Sequence, residues 1–86
     1  MSRNSAIATA DRSPNALFEA CARDEDDAIT EFVRRYQPEL ASYARRHRAE
    51  DPEGAADLAT FDTVRRLAGM RRLEEPAVRA YLYRAL

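Results

Sequence analysis

The side chains with the most chemical capacity in this chain are its arginines and tyrosines. Arg71 and Arg72 stand together in a stretch without apolar periodicity; Arg79, Tyr83 and Arg84 follow, with Tyr81 among them. Planar guanidinium groups match phosphate oxygens and stack on flat rings, and aromatic faces accept unpaired bases. At this spacing they have the composition of a grip for single-stranded nucleic acid. The competing reading is a solvated polar helix face with Tyr81 in the core. The remaining reactive side chains do not assemble a catalytic set. His47, the only histidine, lies in an arginine-rich run and reads as a solvated helix-end residue. Cys21, the only cysteine, falls on an apolar stripe and reads as core, not nucleophile. The two make no ligand cluster for a metal. Asp24, Glu25, Asp26 and Asp27 lack the alternating ligand spacing of a calcium loop and read as charge at a helix start. No glycine-rich stretch offers a phosphate cradle. These residues describe a binding protein, not an enzyme, with no metal or cofactor.

Composition sets the frame that must position them. The chain has 86 residues, 45 % hydrophobic and 34 % charged, with 2 Gly, 4 Pro and 1 Cys. That excludes collagen-like, low-complexity and disulfide-scaffold classes and allows one small domain. A single cysteine permits no internal disulfide, so a reducing, cytoplasmic setting is expected. No apolar run nears the ~18 residues of a membrane span. A chain this short buries only about 60 % of its unfolded surface, which leaves it dependent on a partner or on more chain. The net charge of −1 conceals alternating blocks: acidic from Asp24 to Glu31, basic from Arg34 to Arg48, acidic from Glu50 to Asp57, basic from Arg65 to Arg84. All 14 basic residues are arginine, which a GC-rich genome would also produce.

Periodicity then gives an all-α chain. Met1 to Arg12 is small and polar and reads as a disordered arm. Ser13-Pro14 opens a short helix that buries Leu17, Phe18 and Cys21. Ile29, Phe32, Val33, Tyr36, Leu40, Tyr43 and Ala44 recur at steps of three and four, the stripe of a long amphipathic helix. Pro38 interrupts the stripe without shifting its phase, so a kink is expected there. Asp51-Pro52-Glu53 starts another helix, running to about Ala68 and stopped by Gly69. Ala55, Leu58 and Ala59 form one stripe on it, and Phe61, Val64 and Leu67 another beside it. An arc so wide either lies deep in the core or shows one strip to a partner. Residues 69–76 form a loop, and a last helix carries Val78, Tyr81, Leu82 and Ala85. Its stripe still runs at Leu86, so the chain reads as the N-terminal piece of a longer protein.

From Leu17 onward the residues resemble region 2 of the extracytoplasmic-function (ECF) sigma factors of bacterial RNA polymerase. Leu17-Phe18-Glu19-Ala20-Cys21-Ala22-Arg23-Asp24 through Phe32-Val33-Arg34-Arg35-Tyr36 resembles the opening helices. Tyr36-Gln37-Pro38-Glu39-Leu40 with Tyr43-Ala44-Arg45-Arg46 is similar to the tyrosine, mid-helix proline and arginine pattern. Asp51-Pro52-Glu53 with Ala55-Ala56-Asp57-Leu58 resembles the start of the polymerase-binding helix. Val78-Arg79-Ala80-Tyr81-Leu82-Tyr83-Arg84 is similar to the aromatic-Arg-x-Trp-Leu-Tyr-Arg signature, with Val and Tyr for its two large aromatics.

The resemblance implies a helical bundle of about four helices over residues 13–86. It implies docking on the clamp helices of core RNA polymerase through Asp57, Leu58, Thr60, Phe61 and Val64. It further implies recognition and melting of the promoter minus-ten element, with a non-template base captured by the loop from Gly69 to Ala77. Arg71, Arg72, Arg79, Tyr83 and Arg84 would hold that DNA. Binding free energy would do the opening, without ATP or metal. An anti-sigma factor is a possible further partner, and no membrane is implied. Two departures stand out: Thr60 and Phe61 replace the family's polar pair at the clamp face, and its glycine near position 24 is missing. The altered clamp face keeps a second reading open: a module of the same fold that binds a regulatory protein and not DNA.

Overall fold

The computed structural model describes residues 12–86, which form helices α1 (Pro14–Ala22), α2 (Asp26–Arg46), α3 (Pro52–Leu67) and α4 (Glu75–Ala85). No strand occurs among the described residues. The expected arm falls outside them except for Arg12, which belongs to the folded part. Its backbone carbonyl accepts from Arg35 Nη1 at 2.9 Å, and its guanidinium lies 3.8 Å from Glu31.

Each helix start follows from its cap. Ser13 Oγ accepts from the Ala16 amide at 3.3 Å, and Asp51 Oδ1 accepts from the Gly54 amide at 3.1 Å, each with proline in the first turn. Gly54 makes the second cap possible, because a Cβ there would lie 2.2 Å from the Asp51 carboxylate. Asp26 and Asp27 supply first-turn charge to α2 without a side-chain cap. Pro38 lies inside α2, which continues through it to Arg46. Pro38 brings no N–H to the Arg34 carbonyl one turn earlier, and both residues are exposed, so water can serve that carbonyl.

Two helix ends take a form the sequence does not advertise. After α1, Asp24 adopts φ 63°, with its amide bonded to Cys21 O and that of Glu25 to Ala20 O. After α2, Arg48 adopts φ 62°, with its amide on Arg45 O and that of Ala49 on Ala44 O. Both are Schellman endings with a left-handed residue just past the cap, built here without glycine. Gly69, the expected stop of α3, has no positive φ; α3 ends instead in a tight turn with the Gly69 amide on Arg66 O. The following loop is shorter than expected, since α4 begins at Glu75, before Pro76.

The core gathers Leu17, Phe18, Phe32, Tyr36, Leu40, Leu67, Val78 and Leu82, together with the small Ala28, Ala41, Ala56 and Ala59. Phe18, Phe32 and Tyr36 meet in tilted or edge-on pairs at centroid distances of 4.9–6.0 Å. Cys21 is in this core, as expected; burial raises its thiol pKa to about 11, so it stays protonated and inert at neutral pH. Two buried positions in α3 are polar: Thr60 Oγ1 donates to Ala56 O at 2.6 Å and Thr63 Oγ1 to Ala59 O at 2.8 Å. Their hydroxyls are satisfied by their own helix, so both pack as small apolar groups. These threonines displace the expected stripe: α3 buries Ala56, Ala59, Thr60, Thr63, Val64 and Leu67, and turns Leu58 and Phe61 outward.

A polar clasp fastens α4 to α2. Tyr36 donates to Glu75 Oε2 at 2.8 Å, Tyr83 donates to Glu39 Oε2 at 2.7 Å, and Arg79 bridges Glu39 and Glu75. The Arg79 guanidinium also lies 5.6 Å from the centroid of the Tyr36 ring. Burial works against the Arg79 charge, but the two glutamates more than offset it and hold its pKa above the ordinary value.

Candidate functional site

Helix α3 presents the first surface. Leu58 is 75 % exposed and Phe61 49 % exposed, the two large hydrophobic side chains left outside the core among the described residues. With the exposed Asp57 they form a strip along the outer side of a helix whose inner side is buried. Phe61 closes a shallow apolar cavity of about 370 Å³ with Ile29, Thr30, Val33 and Arg34 of α2. Ile29 and Val33, expected in the core, are half-buried here and supply its floor. Of the five residues expected to face the polymerase, Asp57, Leu58 and Phe61 are accessible. Thr60 and Val64 are not: Thr60 is fully buried with its hydroxyl on Ala56 O, and Val64 packs in the core, because both fall on the α3 face turned toward the other helices.

The second surface lies between α3 and α4. Tyr81, half-buried, donates to Asp62 Oδ2 at 3.2 Å, with Arg66 6.0 Å from its ring centroid. Its ring borders two adjoining cavities. One, of about 400 Å³, is lined by Leu58, Asp62, Arg65, Arg84 and Ala85; the other, of about 380 Å³, by Arg65, Arg66, Gly69 and Met70. Tyr81 thus joins neither the core nor the open surface, but the middle of a groove with arginines along its rim. Asp62 tempers that charge through its contacts with Arg65 at 3.4 Å and Arg66 at 4.0 Å.

The loop beside this groove is pinned at both ends. Met70 and Leu73 pack on the core, and Arg71 and Arg72 between them are exposed. Arg72 pairs with Glu74 at 3.2 Å, while Arg71 makes no ion pair among the described residues. The five residues expected to hold DNA are therefore divided. Arg71, Arg72 and Arg84 are exposed, and Arg84 lines the Tyr81 groove. Arg79 and Tyr83 bond to Glu39, and Arg79 also to Glu75, so the Tyr83 hydroxyl and part of the Arg79 donor set are engaged in the clasp, although the Arg79 side chain stays 42 % exposed. Sequence reasoning overlooked Arg65 and Arg66 as site residues. Their position about two turns beyond Leu58 on an exposed helix face was the available signal, but it needed the α4 packing to place Tyr81 beside them.

No group of three or more His, Cys, Asp or Glu that could hold a metal occurs among the described residues, and no helix there is long and apolar enough to cross a membrane. No protein-family model, curated protein or solved structure matches the chain.

Proposed function

We propose that this helical domain is a non-enzymatic transcription-initiation module of the sigma region 2 kind, which docks on core RNA polymerase and holds unpaired bases of the minus-ten element. The observation that carries the reading is the outward strip of Leu58 and Phe61 on α3, set beside an arginine-rimmed groove with an aromatic floor. An apolar anchor flanked by charge is the usual energetic centre of a protein interface. An aromatic face among guanidinium groups suits a base and its phosphate. The α3 strip would meet the clamp helices, and Tyr81, with Arg65, Arg66, Arg71 and Arg84, would meet the non-template strand. Co-purification of core polymerase with the domain tests the first half. Leu58→Ser with Phe61→Ser should abolish it while the helical spectrum is kept; retention of polymerase by that double variant would refute the docking surface.

A second reading has its own support. Arg79 and Tyr83 are held by Glu39, and Asp62 lies in the floor of the groove, so the positive density available to DNA is smaller than the arginine count implies. In that reading the module binds a regulatory protein through the same α3 strip and leaves DNA alone. A minus-ten single strand distinguishes the two, because only the first requires it to bind.

A further inference from the structure

The outward side of α3 carries a charge pattern that the core and the helix ends do not explain. At 3.6 residues per turn, Asp57, Leu58, Phe61 and Arg65 share one face about 100° wide. All four are exposed. Phe61 lies near the middle of that face, with Asp57 four residues before it and Arg65 four residues after it. Opposite charges therefore stand about 6 Å to either side of the ring along the helix axis. Asp57 pairs with no cation among the described residues, and Arg65 has only its 3.4 Å contact with Asp62, its side chain 78 % exposed. The same polarity runs along the whole helix, with Glu53 in the first turn and Arg65 and Arg66 in the last. The helix dipole accounts for Glu53 and for the two arginines, but it fades within the terminal turns. Asp57 lies beyond the first turn and Phe61 carries no charge, so the dipole explains neither.

We infer that a second copy of this chain covers the face, in a two-fold dimer whose α3 helices run antiparallel and whose Phe61 rings meet at the axis. Antiparallel pairing about Phe61 sets each residue against the one equally far beyond the ring. Asp57 of each copy then faces the partner's Arg65, so two ion pairs flank the paired rings. Each Leu58 lies beside the aliphatic stem of the partner's Arg65 and is covered by it. A two-fold interface must be complementary to itself, and the order acid, ring, base meets that condition about its own centre. A parallel arrangement would set Asp57 on Asp57 and Arg65 on Arg65, whereas the antiparallel one also opposes the two helix dipoles. Charge thus specifies the occupant, and the exposed Leu58 and Phe61 supply the apolar contact. The dimer covers Leu58, Phe61 and Arg65, which the proposed function gives to the polymerase and the DNA, so the free chain holds those surfaces against itself until a partner displaces the second copy. That consequence rests on the proposed function; the dimer does not.

Sedimentation equilibrium of the whole chain, without polymerase or DNA, tests the dimer. One helix face buries less than the ~800 Å² per partner of a standard interface, so half-association is expected at roughly 10–300 µM. Asp57→Arg and Arg65→Asp should each weaken dimerisation by about tenfold or more, because the two-fold axis places every reversal in an ion pair on both sides. Combining the two should restore association to within about threefold of wild type, since each reversed charge then meets a reversed charge. That rescue also shows that the reversed chains fold, and a general loss of stability would not produce it. A chain that stays monomeric to about 500 µM, or two reversals that fail to rescue one another, would overturn the dimer and leave polymerase docking untouched. Full dimerisation of Leu58→Ser/Phe61→Ser would place the contact elsewhere and overturn it as well. Conversely, a dimer that obeys the reversals in a chain that retains no polymerase would refute the docking reading and keep this one.

Discussion

Phe61 and Thr60 are neighbours with opposite roles, and the difference is one of helix phase. Phe61 is half-exposed over Ile29 and Val33, so Phe61→Ala should lower folding stability by less than about 1 kcal/mol, while it costs about 2 kcal/mol in affinity for a partner that buries the ring. Urea unfolding and polymerase affinity, measured on the same variant, separate the two effects. Thr60→Val, in contrast, should leave partner affinity unchanged, because its side chain is sealed within the bundle. Within the clasp, Tyr36→Phe removes the hydroxyl that Glu75 accepts from and should cost about 1–2 kcal/mol of stability by urea unfolding. A loss below about 0.3 kcal/mol would mean that Arg79 alone holds Glu75.

Among the elements, helix starts were easier to read than helix ends. Ser13-Pro14 and Asp51-Pro52 announce α1 and α3 because a side-chain oxygen and a proline each have a local reason to be there. The ends of α1 and α2 lacked their usual marker, since Asp24 and Arg48 occupy the left-handed positions normally taken by glycine. At position 24 the left-handed turn is made by Asp24 and not by glycine. Asp24→Gly should stabilise the domain by about 0.5–1 kcal/mol, read as a higher urea midpoint at unchanged slope, because it relieves a left-handed conformation in a non-glycine residue. Gly69, by comparison, marks a turn that needs no glycine: a Cβ there would meet only Arg66 O, at 3.8 Å. The core of α3 was hidden for a related reason. Hydrophobic periodicity counts Leu58 and Phe61 and passes over Thr60 and Thr63, yet buried hydroxyls bonded to their own helix pack as apolar groups. The Tyr81 groove was legible in its chemistry, arginine beside tyrosine, but not in its membership. Only the clasp shows that the Tyr83 hydroxyl and part of the Arg79 donor set are engaged within the fold.

For the molecule as a whole, that clasp sets a pH window. The bond from Tyr36, aided by Arg79 and opposed by burial, holds the Glu75 carboxyl below its ordinary 4.5. A depressed carboxyl adds stability above its unfolded pKa and loses it as pH falls through the lower folded value. Burial, with the bonds to Glu75 and Glu39, raises Tyr36 and Tyr83 above their ordinary 10.0. Raised phenols stabilise fully below the unfolded value and cease to do so as pH climbs beyond it. Stability should therefore be flat from about pH 5 to 9 and decline on both sides. Glu75→Gln should flatten the acid decline in urea midpoints; an unchanged acid limb would remove the clasp from this account.

The proposed function joins two surfaces of one small bundle, and binding to unpaired DNA in the presence of the polymerase tests the join most directly. The measurement is the affinity of a premelted minus-ten fork for the core polymerase complex formed with the wild-type chain, with Arg65→Ser/Arg66→Ser, and with Arg71→Ala/Arg72→Ala. The account predicts that each pair weakens fork binding by about tenfold or more without releasing the polymerase. Fork affinity identical in all three complexes, or no fork bound by any of them, would contradict it.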